Sequence, residues 1–193
     1  MHPKQGNVPP QRALPGKIQD KHGSPMMYVP NTFTEFCVAG MMVLAVIGAV
    51  NDIRDYRIPN SINLGLAGLF PIYAFSGAAG VDWAMALLIA GGMFFFAGLL
   101  FSLGQIGGGD AKMMTVLALW AGPAHIVDFV LVTTIVGGVL AVLMMTSARH
   151  ALALACESIG QQRLGAVFLG NVLPYGVAIA VGGVVVGFKL IAG

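Results

Sequence analysis

The sequence predicts an all-α protein, a polytopic membrane helix bundle of about six transmembrane helices within 193 residues. Three observations carry that expectation. Hydrophobic residues fill 57% of the chain and charged ones only 9%, whereas a soluble domain carries about a quarter charged residues. Apolar runs follow one another, several of them near the 18 to 20 residues that one bilayer crossing takes. The 27 glycines are common within those runs, and small residues let membrane helices approach closely.

Residues 1–32 differ from the rest. They are rich in proline, carry Lys4, Arg12, Lys17 and Lys21, and hold no apolar run. Such a segment cannot bury a core and reads as a flexible polar tail. It is not a signal peptide, because the first long apolar segment begins only near Phe33.

Residues 33–193 read as one transmembrane domain. The apolar segments are 33–51, 61–76, 83–103, 110–121, 126–146 and 171–191. The fourth is short for a full crossing; it starts below the membrane surface or is re-entrant, and it is counted here as a crossing. Asn60 or Ser61 is expected to cap the second helix directly after Pro59.

Orientation follows from Lys and Arg in short loops. With alternate crossings, Arg54, Arg57, Lys112, Arg149 and Arg163 share one side, and Lys17, Lys21 and Lys189 the other. The richer side is expected to be cytoplasmic, with the N-terminal tail outside. Asp52 and Asp110 then fall on one side, and Cys37 and Cys156 on opposite sides.

Composition also excludes function classes. The two cysteines form no CxxC pair, and the four histidines show no ligand spacing, so no metal site and no structural zinc are expected. A net charge of +2 gives no footprint for nucleic acid.

Of eight acidic residues, most sit where a solvated helix end puts them. Asp52 ends the first apolar run in AVNDIRDYRIPN, and Asp110 opens the fourth after three glycines, Gly107, Gly108 and Gly109, in GQIGGGDAKMM. A charge at a membrane helix end is costly unless exposed, paired or functional. Two carboxylates within reach of each other share one proton near neutral pH. One can then deprotonate a water while its protonated neighbour polarises a carbonyl. The glycines admit backbone conformations closed to other residues, giving an extended strand access to Asp110; a plain flexible hinge is the other reading of the triplet.

Three patches together resemble the prepilin peptidases. GGGD matches the GxGD pattern of intramembrane aspartyl proteases. Six residues separate Asp52 from Pro59–Asn60, as in that family, and NVLPYGVAIAVGG (171–183) resembles its last helix, which contains Pro-Tyr-Gly. The patches keep the family's order, and the short length resembles the branch serving tight-adherence (Flp-type) pili. The resemblance implies Asp52 and Asp110 as the catalytic pair, with Asp55, one helical turn away, as rival to Asp52. Lys112 stays in the family pattern and either holds one carboxylate ionised, binds the loop, or anchors topology. Pro174, Tyr175 and Gly176 are expected to shape a helix kink facing the site. The implied substrate is a prepilin or pseudopilin, a short basic leader followed by an apolar helix. It would be cleaved without a cofactor at the cytoplasmic face of the bacterial inner membrane. No CxxC motif accompanies the core, so proteolysis without N-methylation is expected.

Two rivals stand beside this reading. Interfacial carboxylates and glycine-broken helices also build ion sites in non-enzymatic transporters and channels, but no ionisable residue lies at mid-membrane depth in the sequence pattern. A presenilin-like protease shares GxGD, but its YD partner motif is absent, since Asp52 follows Asn51. The sequence leaves the oligomeric state open.

Overall fold

Long apolar runs with no polar interruption can satisfy their backbone groups in lipid only by closing them within each segment, which selects helices. The computed structural model describes residues 32–76, 81–146, 154 and 174–192, and the secondary structure among them is helical. The elements are α1 (Thr32–Asp55), α2 (Asn60–Phe75), α3 (Trp83–Ser102), α4 (Gly108–Met145) and α5 (Tyr175–Ala192). The tail up to residue 31, Arg149, Cys156 and Arg163 lie outside the described residues, and Thr32 opens α1.

The fourth and fifth expected segments are the two helical limbs of α4, which meet at a break. A straight α4 would be about 57 Å long at 1.5 Å per residue, nearly twice a bilayer's hydrocarbon core of about 30 Å. It is not straight. Gly122 has φ 53° and ψ −167°, a left-handed excursion that glycine takes at little cost. Pro123 follows, biasing Gly122 away from the helical region and starting the second limb where its missing N–H costs nothing.

Packing against α5 shows that the chain turns back there. Leu117, before the break, packs on Gly183, while Phe129 and Thr133, after it, pack on Gly182. On a continuous helix Leu117 and Thr133 would be about 24 Å apart; here they meet adjacent residues. Further along the second limb Gly137 lies against Ala178, so the first limb runs with α5 and the second against it.

Four helices, α1, α3, α4 and α5, are long and apolar enough to cross a membrane; α2, at 16 residues, is shorter. Gly40 against Leu69 and Gly65 against Leu44 set α1 and α2 antiparallel, and Gly187 against Met42 does the same for α1 and α5. The core holds Val38, Met41, Leu66, Met113, Leu117, Phe129 and Ile179, all essentially inaccessible. Outward faces carry Phe36, Leu64, Leu88 and Phe95, exposed by 69–78%, as a lipid-facing surface requires.

These directions give the bundle two unlike ends. One collects the C-terminus of α1 and the N-termini of α2, α4 and α5. The other collects the turn at Gly122, the C-terminus of α5 and an aromatic cluster. There Phe70 lies 5.6 Å from both Trp83 and Trp120, ring centroid to ring centroid, and the Trp120 indole donates to the Leu66 carbonyl at 3.0 Å.

Candidate active site

The first of these ends holds a cavity of about 520 Å³, lined by residues 56–60 and 107–109 together with Asp52 and Asp110. Both carboxylates are buried, at 4% and 7% exposure, although they come from helices 58 positions apart in sequence. Asp55 is exposed on the same helix and does not line the cavity; burial and position distinguish Asp52 from its rival.

Each carboxylate is oriented by a glycine N–H. Asp52 Oδ2 accepts from Gly176 at the start of α5, at 2.8 Å. A side chain at Gly176 would place its Cβ 2.8 Å from both Asp52 Cβ and Oδ2, so only glycine allows this approach. Asp110 stands in the first turn of α4 and accepts through Oδ2 from Gly107, the residue capping that helix, at 3.2 Å. A helix N-terminus favours an anion there, through free N–H groups and the helix dipole. Asp110 Oδ1 is buried and has no protein partner among the described residues.

The glycine triplet has a packing reason as well. A Cβ on Gly109 would meet the backbone of Ile58, its O and N, at 3.0 and 3.2 Å. The start of α4 therefore rests directly on the α1–α2 connection, and this contact brings the Asp110 turn against Asp52's end of α1. Asn63, 5% exposed on α2, reinforces the join by donating to the Gly109 carbonyl at 3.4 Å.

Three expectations change in detail. Among the described residues Lys112 meets no carboxylate: its ammonium donates to Asn60 Oδ1 at 2.8 Å, and the described ion pairs involve neither cavity Asp. Asn60 is thereby engaged across the site; α2 is preceded by Pro59 in extended geometry with no side-chain cap. Pro174 directly precedes α5 and Tyr175 opens it, so among the described residues they mark a helix start, where the Gly176 N–H, in the first turn, is available to Asp52.

Sequence reasoning did not single out Tyr56, Asn63 or the Gly176 N–H. Tyr56 lines the cavity with φ 49°, a left-handed conformation uncommon outside glycine. Its N–H caps α1 by donating to the Asp52 carbonyl at 2.9 Å. Strained backbone beside buried carboxylates is a mark of a functional site, but nothing in the residue type Tyr signals it.

A family model described as the type IV leader peptidase family matches residues 38–142, a stretch that includes both cavity carboxylates, the glycine triplet and the α1–α2 connection. No curated protein matches the chain. No solved structure matches it.

Proposed function

The chain belongs to the type IV leader peptidase family, and from that premise we propose that it is an aspartyl endopeptidase removing the short basic leader from prepilins or pseudopilins. One observation carries the reading: Asp52 and Asp110, two carboxylates buried with no cationic partner among the described residues, line one cavity at one end of the bundle. In the membrane, unpaired buried acids are expensive and mark function.

In this reading Asp110 and Asp52 share a proton. The ionised member takes a proton from water, and the water oxygen attacks the scissile carbonyl. The protonated member donates to that carbonyl; as the tetrahedral intermediate collapses it takes this proton back, while the proton taken from water passes from the first carboxyl to the leaving amine. Gly107 and Gly176 each hold one oxygen of their carboxylate, which fixes the partners' orientation before substrate arrives. The substrate's apolar helix lies in the bilayer beside the bundle and presents its leader junction to the cavity. The excess of Arg and Lys near this end, Arg54, Arg57 and Lys112, supports placing it at the cytoplasmic face of a bacterial inner membrane.

Co-expression with a prepilin tests this directly. Leader removal by the wild-type chain, seen as a shift to the mature mass, is the expected result. An intact leader, or removal that persists with both Asp52→Asn and Asp110→Asn, would sink the proposal. The same mass spectrum should show an unmodified N-terminus when no other methyltransferase is present, since these residues hold no CxxC motif of the kind that accompanies the methylating branch.

A further inference from the structure

The contact between Lys112 and Asn60 carries a chemical consequence. An ammonium has three donors and no lone pair, so the Asn60 atom it meets at 2.8 Å is necessarily the amide oxygen. That settles which way the amide faces. Its oxygen is taken by Lys112, and its NH2 group, which has no partner among the described residues, is the free polar end of a side chain lining the cavity. Residues 58–60 and 107–109 form the walls of the same cavity, and Asn60 spans from one wall to Lys112 on the first turn of α4.

We propose that Asn60, held in one amide orientation by Lys112, is a substrate-binding residue whose NH2 group donates to a backbone carbonyl of the extended peptide in the cavity. An extended strand displays carbonyls that need donors, and the two carboxylates supply at most the one shared proton. Lys112 is a positioning residue: it acts through Asn60, drawing electron density toward the amide oxygen and making the NH2 a better donor. This inference rests on the peptidase reading of the cavity and adds to it the group that grips the substrate main chain.

Asn60→Asp separates a gripping role from a structural one. The variant keeps size and keeps, or strengthens, the contact with Lys112, yet replaces the donor by an acceptor. The probe is a labelled segment made of a basic leader, the cleavage junction and an apolar helix, with the protein in lipid nanodiscs. KM is read with Asp52 and Asp110 intact, and Kd in an Asp52→Asn background. Loss of one neutral hydrogen bond corresponds to about a tenfold change. The expected result is a rise of about tenfold or more in both KM and Kd, with kcat changed less and thermal stability preserved. Because the added charge could also act on the dyad, KM is measured across pH; a weaker grip raises it at every pH. Lys112→Met should raise KM severalfold in the wild-type background and have no further effect when Asn60 is already Ala. Unchanged KM and Kd for Asn60→Asp would overturn the proposal, as would a Lys112→Met effect that persists without Asn60. The Kd comparison stands even if Asp52→Asn still cleaves, so failure of the dyad reading and failure of this one are told apart.

Discussion

The two ends of the bundle both carry aspartates near a helix terminus, and they treat them in opposite ways. At one end Asp52 and Asp110 are buried, accept only glycine N–H groups among the described residues, and line a cavity. At the other, Asp128 is partly open to water and paired: Lys189 lies at 2.7 Å and His125 at 3.7 Å. Asp128 fits an interfacial anchor, its charge answered by a cation on the neighbouring helix. The first pair has no such answer among the described residues, and buried carboxylates in a cleft are the kind of group from which functional sites are built. An aspartate's surroundings, more than its presence at a membrane edge, separate the proposed reactive end from the supporting one.

The sharpest way to break this contrast is to neutralise each Asp. Asp52→Asn and Asp110→Asn are each expected to reduce leader cleavage by about a thousandfold or more while leaving expression intact, since removing one member of an acting pair removes the mechanism. Asp55→Asn should retain most activity. If Asp55→Asn is dead and Asp52→Asn active, the dyad has been placed one helical turn wrongly.

A smaller effect is expected from the glycines that set the reactive end. Gly176→Ala places a methyl 2.8 Å from Asp52, whereas Gly138→Ala enters open space. A displacement of about 1 Å in a reacting group can cost about a hundredfold in rate. Cleavage by Gly176→Ala should fall by about that factor, and by Gly138→Ala hardly at all. Equal activity in the two would mean that the Gly176 N–H does not orient Asp52.

The pH profile tests the pair as a unit. Below the lower macroscopic pKa both carboxyls are protonated and no base remains; above the upper one both are ionised and no acid remains. Cleavage in liposomes should trace a bell, falling about tenfold per pH unit beyond each limb. A rate that rises to a plateau with no alkaline fall would show that no protonated carboxyl is needed.

Much of this arrangement was legible in the sequence, and the exceptions share a cause. Alternating crossings alone put Asp52 and Asp110 at one end, because parity of helices needs no tertiary detail. The break between 110–121 and 126–146 was legible, but how tightly the chain turns there was not, since the turn at Gly122–Pro123 needs no polar loop residues and apolar patterning runs almost unbroken across it. The partner of Lys112 was hidden for a different reason. Closeness in sequence pointed to Asp110, but Asn60, 52 positions away, is brought nearer by the contact of Gly109 with Ile58. Pro174–Gly176 likewise read as a kink because a motif shows composition and not where a helix starts.

The smallest expected effect lies at the supporting end, and it completes the comparison. Asp128 and Lys189 tie the second limb of α4 to the end of α5, but Lys189 is 44% and Asp128 36% exposed in the side chain, so solvent and salt screen their attraction. Asp128→Asn and Lys189→Met should therefore leave cleavage unchanged and lower the melting temperature in detergent only slightly. What little they lower it should shrink further in high salt, because it comes from screened charge and not from packing. Cleavage lost in Asp128→Asn would make the two ends alike in function and would break the contrast at its base. A large salt-independent loss of stability would instead show that the turn at Gly122 depends on this pair, and that Gly122 and Pro123 do not hold the hairpin by backbone geometry alone.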